Sequence, residues 1–118
     1  ADEFACPFLS PDEKETIEAD CLINTTSLGM APEEDRSPFP KDLLHKFCWV
    51  MDIIYNPLKT KLLREAEEAG CRTLSGLGMF VHQGAEQLKI WTGLEPPRPY
   101  MLEVVLAELE KTSKLHKN

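Results

Sequence analysis

Phe47-Cys48-Trp49-Val50-Met51-Asp52-Ile53-Ile54 is an apolar run of strand length that breaks into the turn-forming Tyr55-Asn56-Pro57. The same break occurs on either side. Cys21-Leu22-Ile23 runs into Asn24-Thr25-Thr26-Ser27-Leu28-Gly29-Met30, and Cys71-Arg72-Thr73-Leu74-Ser75 runs into Gly76-Leu77-Gly78-Met79-Phe80-Val81-His82-Gln83-Gly84-Ala85. The first two runs show no strict alternation, as expected of parallel strands covered on both faces. Strands at about 20–24, 47–54 and 71–75 are therefore predicted, in spatial order first, second, third. If they are parallel, the three polar segments share the sheet edge where open α/β sheets bind ligands.

Outward from these strands, Asn56 and Pro57 read as the cap and first residue of a helix. Its apolar stripe is Leu58, Leu62, Leu63, Ala66 and Ala69, and Gly70 stops it. A second helix is predicted from about Gly78 to Trp91. Met79 and Gln83 share one of its faces, and Phe80, Val81, Ala85, Leu88 and Trp91 form its buried surface. Gly93 ends it, and Pro96, Pro97 and Pro99 prevent continuation. A last helix, about Tyr100 to Ser113, carries Met101, Val104, Val105 and Leu109 and is expected to pack back on the sheet. Upstream, Ser10 reads as the cap of a helix from Pro11 to near Ala19. Residues 31–40 read as a surface loop, with a single turn at Asp42-Leu43-Leu44. The alternation predicts an α/β fold with right-handed crossovers. Three strands amount to half of a doubly wound domain.

A chain of 118 residues makes one domain with a modest core. Its net charge of −7 argues against a nucleic-acid footprint and against docking on an anionic membrane. No apolar run approaches the roughly 20 residues of a membrane span, and the N-terminus does not read as a signal peptide. The cysteines, Cys6, Cys21, Cys48 and Cys71, form no C-x-x-C pair, so no metal site is expected. Cys21, Cys48 and Cys71 read as small buried residues of a reduced, cytoplasmic protein. His45, His82 and His116 form no i,i+4 pair, and no catalytic role is assigned to them.

Each polar segment has two readings. Asn24-Thr25-Thr26-Ser27 supplies either local partners for backbone leaving the sheet or a polar ledge for a cofactor or substrate. Gly29 marks a tight turn or a close backbone approach. Asp52 either caps a neighbouring turn or serves a ligand. Tyr55 is a core aromatic or an exposed hydroxyl at the crevice. Gly76 and Gly78 permit a molecule to approach the backbone, or make only a turn. Gln83 needs a partner if buried, either a ligand hydroxyl or a backbone carbonyl.

Taken together, these segments resemble the C-terminal part of shikimate dehydrogenases over nearly the whole chain. The matching residues are Asn24-Thr25-Thr26, Gly29-Met30, Asp52, Tyr55-Asn56-Pro57, Thr60, Gly70, Gly76, Gly78-Met79, Gln83-Gly84-Ala85 and Trp91-Thr92-Gly93. Quinate-accepting relatives look similar over the same stretch. The resemblance implies a two-domain enzyme with a doubly wound, Rossmann-type NADP domain that reversibly reduces 3-dehydroshikimate to shikimate. By resemblance, Thr25, Thr26 and Ser27 match the segment along the cofactor. Ile53 and Gly76 match positions whose backbone nears the nicotinamide, and Met79 matches a methionine beside its ring. Tyr55 and Gln83 match residues that hydrogen-bond the substrate.

The resemblance also implies what is missing. The substrate domain with its catalytic Lys and Asp, and the glycine-rich pyrophosphate turn, have no counterpart in residues 1–118. The chain thus reads as the back half of the cofactor domain plus C-terminal helices, inactive alone, with no catalytic residue of its own. The rival reading is a stand-alone, non-catalytic binding or scaffold half-domain. NADP is the implied cofactor, with NAD as the alternative; shikimate or 3-dehydroshikimate is the implied substrate, with quinate as the alternative. The strand Cys21–Asn24 is left with an open edge. The chain is expected to self-associate there, to cover the edge with Phe4, Phe8 and Leu9, or to be marginally stable.

Overall fold

The structure, a computed structural model, describes residues 5–115. Three parallel strands form one sheet in the order β1 (Cys21–Asn24), β2 (Trp49–Asp52), β3 (Arg72–Leu74). Cys21 pairs with Trp49 and Asn24 with Asp52; Trp49 pairs with Arg72 and Met51 with Leu74. The strands are shorter than predicted, but their order and direction are as expected.

Side chains alternate between faces along each strand. Leu22, Val50 and Thr73 face α1 (Lys61–Glu68). Val50, Leu62, Leu63 and Ala66 form the core with Phe39, Leu44, Phe47 and Cys71. Each large side chain buried here stabilises by roughly 1.5–3 kcal/mol. Phe39 and Phe47 meet edge to face, with centroids 5.3 Å apart. A 3-10 turn, Lys41–Lys46, places Leu44 over α1.

The second face carries Cys21, Ile23, Trp49, Met51, Arg72 and Leu74, and it is open. Ile23 is 53% exposed and Leu74 51%. The Arg72 guanidinium lies 5.3 Å above the Trp49 ring, a cation–π contact that partly shields that apolar surface. Cover on both faces of the sheet, expected from the lack of alternation in the first two runs, is therefore not found among the described residues. Of the three cysteines expected to be buried, only Cys71 is; Cys21 and Cys48 are exposed.

Helix α1 starts at Lys61, five residues after the predicted Asn56 cap. Thr60 is its N-cap, its hydroxyl accepting from the Leu63 N–H at 3.4 Å. Residues 56–59 instead form a bend that begins with a cis Asn56-Pro57 bond. Ser10 does cap the segment after it, in a capping box with Glu13, but the result is a 3-10 turn, Pro11–Thr16, that ends at Ile17.

Helix α2 (Leu77–Thr92) matches its prediction and ends at Gly93 in the left-handed conformation. Its buried surface is smaller than predicted. Val81 and Ala85 are buried, whereas Phe80 is 40%, Leu88 38% and Trp91 77% exposed. Helix α3 (Arg98–Leu115) packs on α2 rather than back over the sheet, with Met101 against Gly84. Arg98 ties the helix pair together, donating to Glu86 at 2.7 Å and Glu95 at 2.8 Å. Phe8 (80% exposed) and Leu9 (43%) do not cover β1, and Phe4 lies outside the described residues. No described strand pairs with the outer edge of β1.

Candidate functional site

The parallel strands send their C-terminal ends the same way, so the loops after β1, β2 and β3 gather at one end of the sheet. Two of them enclose a cleft of about 460 Å³ lined by Thr25, Thr26, Ser27, Met30, Ile53 and Tyr55, among others. That volume suits part of a dinucleotide or a small ring compound.

A buried polar network builds the walls. Asp52, at the end of β2, is fully buried. Its Oδ1 accepts from Asn24 Nδ2 and from the Ile54 N–H, each at 3.1 Å, and its Oδ2 accepts from the Thr60 hydroxyl at 2.7 Å. Asn24 Oδ1 accepts from the Thr26 N–H at 3.0 Å and the Thr26 hydroxyl at 2.7 Å. Asn24 Nδ2 also donates to the Leu28 carbonyl at 3.4 Å. A buried carboxylate is tolerated when charge-assisted hydrogen bonds satisfy it, as here. Asp52 and Asn24 thus act on the protein itself, while the Thr26 hydroxyl is committed to Asn24. The hydroxyls of Thr25 and Ser27, both exposed, bond to no protein group among the described residues.

Gly29 is buried with φ +95°, and a side chain there would press on the Arg36 carbonyl at 3.0 Å. This is the tight turn its position suggested, and it brings Met30 round to the cleft. The Ala31 N–H then reaches the Asn56 carbonyl at 3.3 Å, joining the two loops a second time.

The third loop meets the second directly. The Gly76 N–H donates to the Ile54 carbonyl at 3.0 Å. Tyr55 stacks on Phe80 of α2, with centroids 4.3 Å apart and planes inclined by 23°. Tyr55 is 36% exposed, as expected of a crevice hydroxyl.

The cleft therefore brings together Thr25, Thr26, Ser27, Ile53 and Tyr55. Gly76 is buried behind Ile53, and its lack of a side chain is required by the protein backbone itself. Met79 and Gln83 stand exposed on α2 and are not among the residues lining the cleft. The Asn24–Asp52–Thr60 network was only partly legible. A buried Asp three residues before an aromatic and eight before a Thr signals nothing until the strands are aligned. No group of His, Cys, Asp and Glu suited to a metal occurs among the described residues.

A half doubly wound sheet with a cleft beyond its strand ends defines a Rossmann-type dinucleotide-domain segment. Comparisons with known proteins take this further. The family described as Shikimate 5'-dehydrogenase C-terminal domain matches residues 76–106. The shikimate dehydrogenase (NADP(+)) of Methanosarcina mazei is 50% identical over 93 residues, covering 79% of this chain and 33% of that protein. Among solved structures, a chorismate mutase/shikimate 5-dehydrogenase fusion protein from Clostridium acetobutylicum superposes with a TM-score of 0.78 at 34% identity, over 85% of this chain and 38% of that one. Shikimate 5-dehydrogenase from Thermus thermophilus, in complex with NADP(H) and shikimate, gives 0.74 at 34% identity, over 86% and 38%. Over the matched residues the chain resembles the C-terminal part of the shikimate dehydrogenase family. It spans about a third of the length of the relatives it matches.

No described helix is long and apolar enough to cross a membrane.

Proposed function

We propose that this chain is the C-terminal part of the NADP-binding domain of a shikimate dehydrogenase, together with its C-terminal helices. It would serve the reversible reduction of 3-dehydroshikimate to shikimate in the cytoplasm. The observation that carries this reading is the convergence of Thr25, Thr26, Ser27, Ile53 and Tyr55 on one cleft, in a chain half identical to such enzymes over 93 residues.

The residues present fit one end of the cofactor. The cleft offers the hydroxyls of Thr25 and Ser27 beside the apolar Met30, Ile53 and Ile54, and among the described residues no Lys or Arg lines it. Such a surface suits the nicotinamide ring and its ribose, which carry no negative charge, and not the phosphates. NADP, when bound, supplies or accepts the hydride. In this reading Thr25, Thr26, Ser27 and Ile53 hold the nicotinamide end, Gly76 lets the Ile53 backbone lie there, and Met79 flanks the ring. Tyr55 and Gln83 hydrogen-bond the substrate.

None of these residues is a base suited to take a proton from a secondary alcohol. The chain alone is therefore inactive, and the acid–base residues come from protein that this chain does not contain. The open β1 edge makes self-association the expected state of the isolated chain. A quinate substrate, NAD in place of NADP, or a non-catalytic binding role remain the alternatives. Titration of the labelled chain with NADP⁺ and shikimate, read by amide shifts, tests the site: shifts at Thr25–Ser27 and Ile53–Tyr55 are expected. Shifts absent there, or appreciable turnover of shikimate with NADP⁺ by the chain alone, would overturn the assignment.

A further inference from the structure

We propose that Asp52 is a positioning residue: it touches no ligand, but it fixes the two walls of the cleft relative to each other. This deepens the reading of the cleft given above. One wall is the loop Thr25–Ala31, the other the loop Ile53–Asn56. Asp52 is the atom-level junction between them. Through Asn24 it holds the first loop, through the Ile54 N–H it holds the second, and through Thr60 it holds the start of α1.

The hydrogen bonds make the junction directional. The Asn24 amide has both its hydrogens and its oxygen engaged, so its orientation is fixed: Oδ1 toward Thr26, Nδ2 toward Asp52 and Leu28. The Thr60 hydroxyl gives its proton to Asp52 and accepts from Leu63, so it too has one possible arrangement. No buried side-chain nitrogen or oxygen lacks a partner among the described residues. An apolar side chain at position 52 would strand three donors. An asparagine would place an amide hydrogen pair where the Thr60 hydroxyl must donate, or where Asn24 and Ile54 must. Only a carboxylate accepts from all three. Sites in which one shell of residues holds another gain binding strength from such preorganisation.

The test uses the 118-residue chain and the variants Asp52→Asn, Thr60→Val and Thr60→Ser, with Leu63→Val as a core control matched for loss of melting temperature. Amide exchange is the first readout. Asp52→Asn should speed exchange at Thr26, Leu28 and Ile54 by about tenfold more than at α2 amides, whereas Leu63→Val speeds all of them alike. Uniform acceleration in Asp52→Asn overturns the proposal. Affinity for NADP⁺ is the second. Asp52→Asn and Thr60→Val should weaken it by about tenfold, Thr60→Ser should restore it, and Leu63→Val should leave it within about twofold. Equal weakening in the core control reduces Asp52 to a stability role. If Asp52→Asn does not fold, Thr60→Val, which removes one donor of three, carries both readouts. Wild-type chain that does not bind NADP⁺ refutes the cofactor reading, and the exchange pattern then decides the role of Asp52 alone.

Discussion

Gly76 lies so close to Ile53 that a Cβ added at Gly76 would fall 1.8 Å from the Ile53 carbonyl oxygen and 2.3 Å from its carbon. The third loop is thereby seated against the second, with the Gly76 N–H bonded to Ile54. Both contacts are backbone to backbone, so no flexible side chain can yield. Gly76→Ala should destabilise by about 3 kcal/mol or more, at the upper end of overpacking costs. Gly78→Ala, two residues on inside α2, meets nothing within 4 Å and should instead gain up to about 1 kcal/mol. Urea unfolding of the two variants checks both signs.

Tyr55 depends on Phe80 for its direction. Stacked rings are worth about 0.5–1.5 kcal/mol beyond their buried area. Phe80→Ala should cost that much and free the Tyr55 ring, broadening its side-chain NMR signals. Phe80→Tyr should keep the stack. Unchanged Tyr55 signals in Phe80→Ala would show that the ring is held by something else.

Acid should loosen the α2–α3 junction. The hydrogen bond from Lys89, and then that from Arg98, holds the Glu95 carboxyl below its usual range. Folding therefore favours its ionised form. The resulting stabilisation is present above the ordinary carboxylate value, about 4.3, and is lost as pH falls through the lower folded value. These groups are solvent-exposed, so the effect is small. The melting temperature of Arg98→Gln should fall less than that of the wild type between neutral pH and pH about 3. An identical fall in both would remove Arg98 from the account.

The cysteines should separate by reactivity. Burial pushes the Cys71 thiol up, and the neighbouring Cys48 adds to the rise. Its S–H points at the Leu44 carbonyl, 3.1 Å away, within the core. Cys21 and Cys48, exposed on and beside the strands, should react promptly with a thiol reagent at neutral pH. Cys71 should react only at the rate of unfolding. Prompt modification of Cys71 in folded protein, located by mass spectrometry, would contradict its place in the core.

Sheet order and direction, and the gathering of three loops, were legible because each apolar run ends in residues that cannot continue a strand. The start of α1 was misread for a physical reason. Asn56-Pro57 carries a strong local capping signal, but Thr60 wins because the buried Asp52, eight residues earlier at the end of β2, engages its hydroxyl. The apolar surface of α2 is overestimated by its periodicity: Phe80, Leu88 and Trp91 fit a helical stripe but stay largely exposed, Phe80 even with Tyr55 stacked on it. Burial of Cys21 and Ile23 was inferred from composition, which cannot tell which strand stands at an edge. The sequence leaves Tyr55 either a core aromatic or a crevice hydroxyl; the stack that orients it involves Phe80, which periodicity assigns to the core.

The one-sided sheet sets up a contest that governs colloidal behaviour. The face bearing Ile23, Trp49 and Leu74 attracts any similar face, while a net charge of −7 keeps copies apart. At low ionic strength the repulsion reaches well beyond the molecular surface; at about 0.15 M salt it fades within roughly 8 Å. Salt added to steady a dilute sample of this chain would thus remove the barrier between sticky faces, and the same sample would stay clear longest in the least buffered solution.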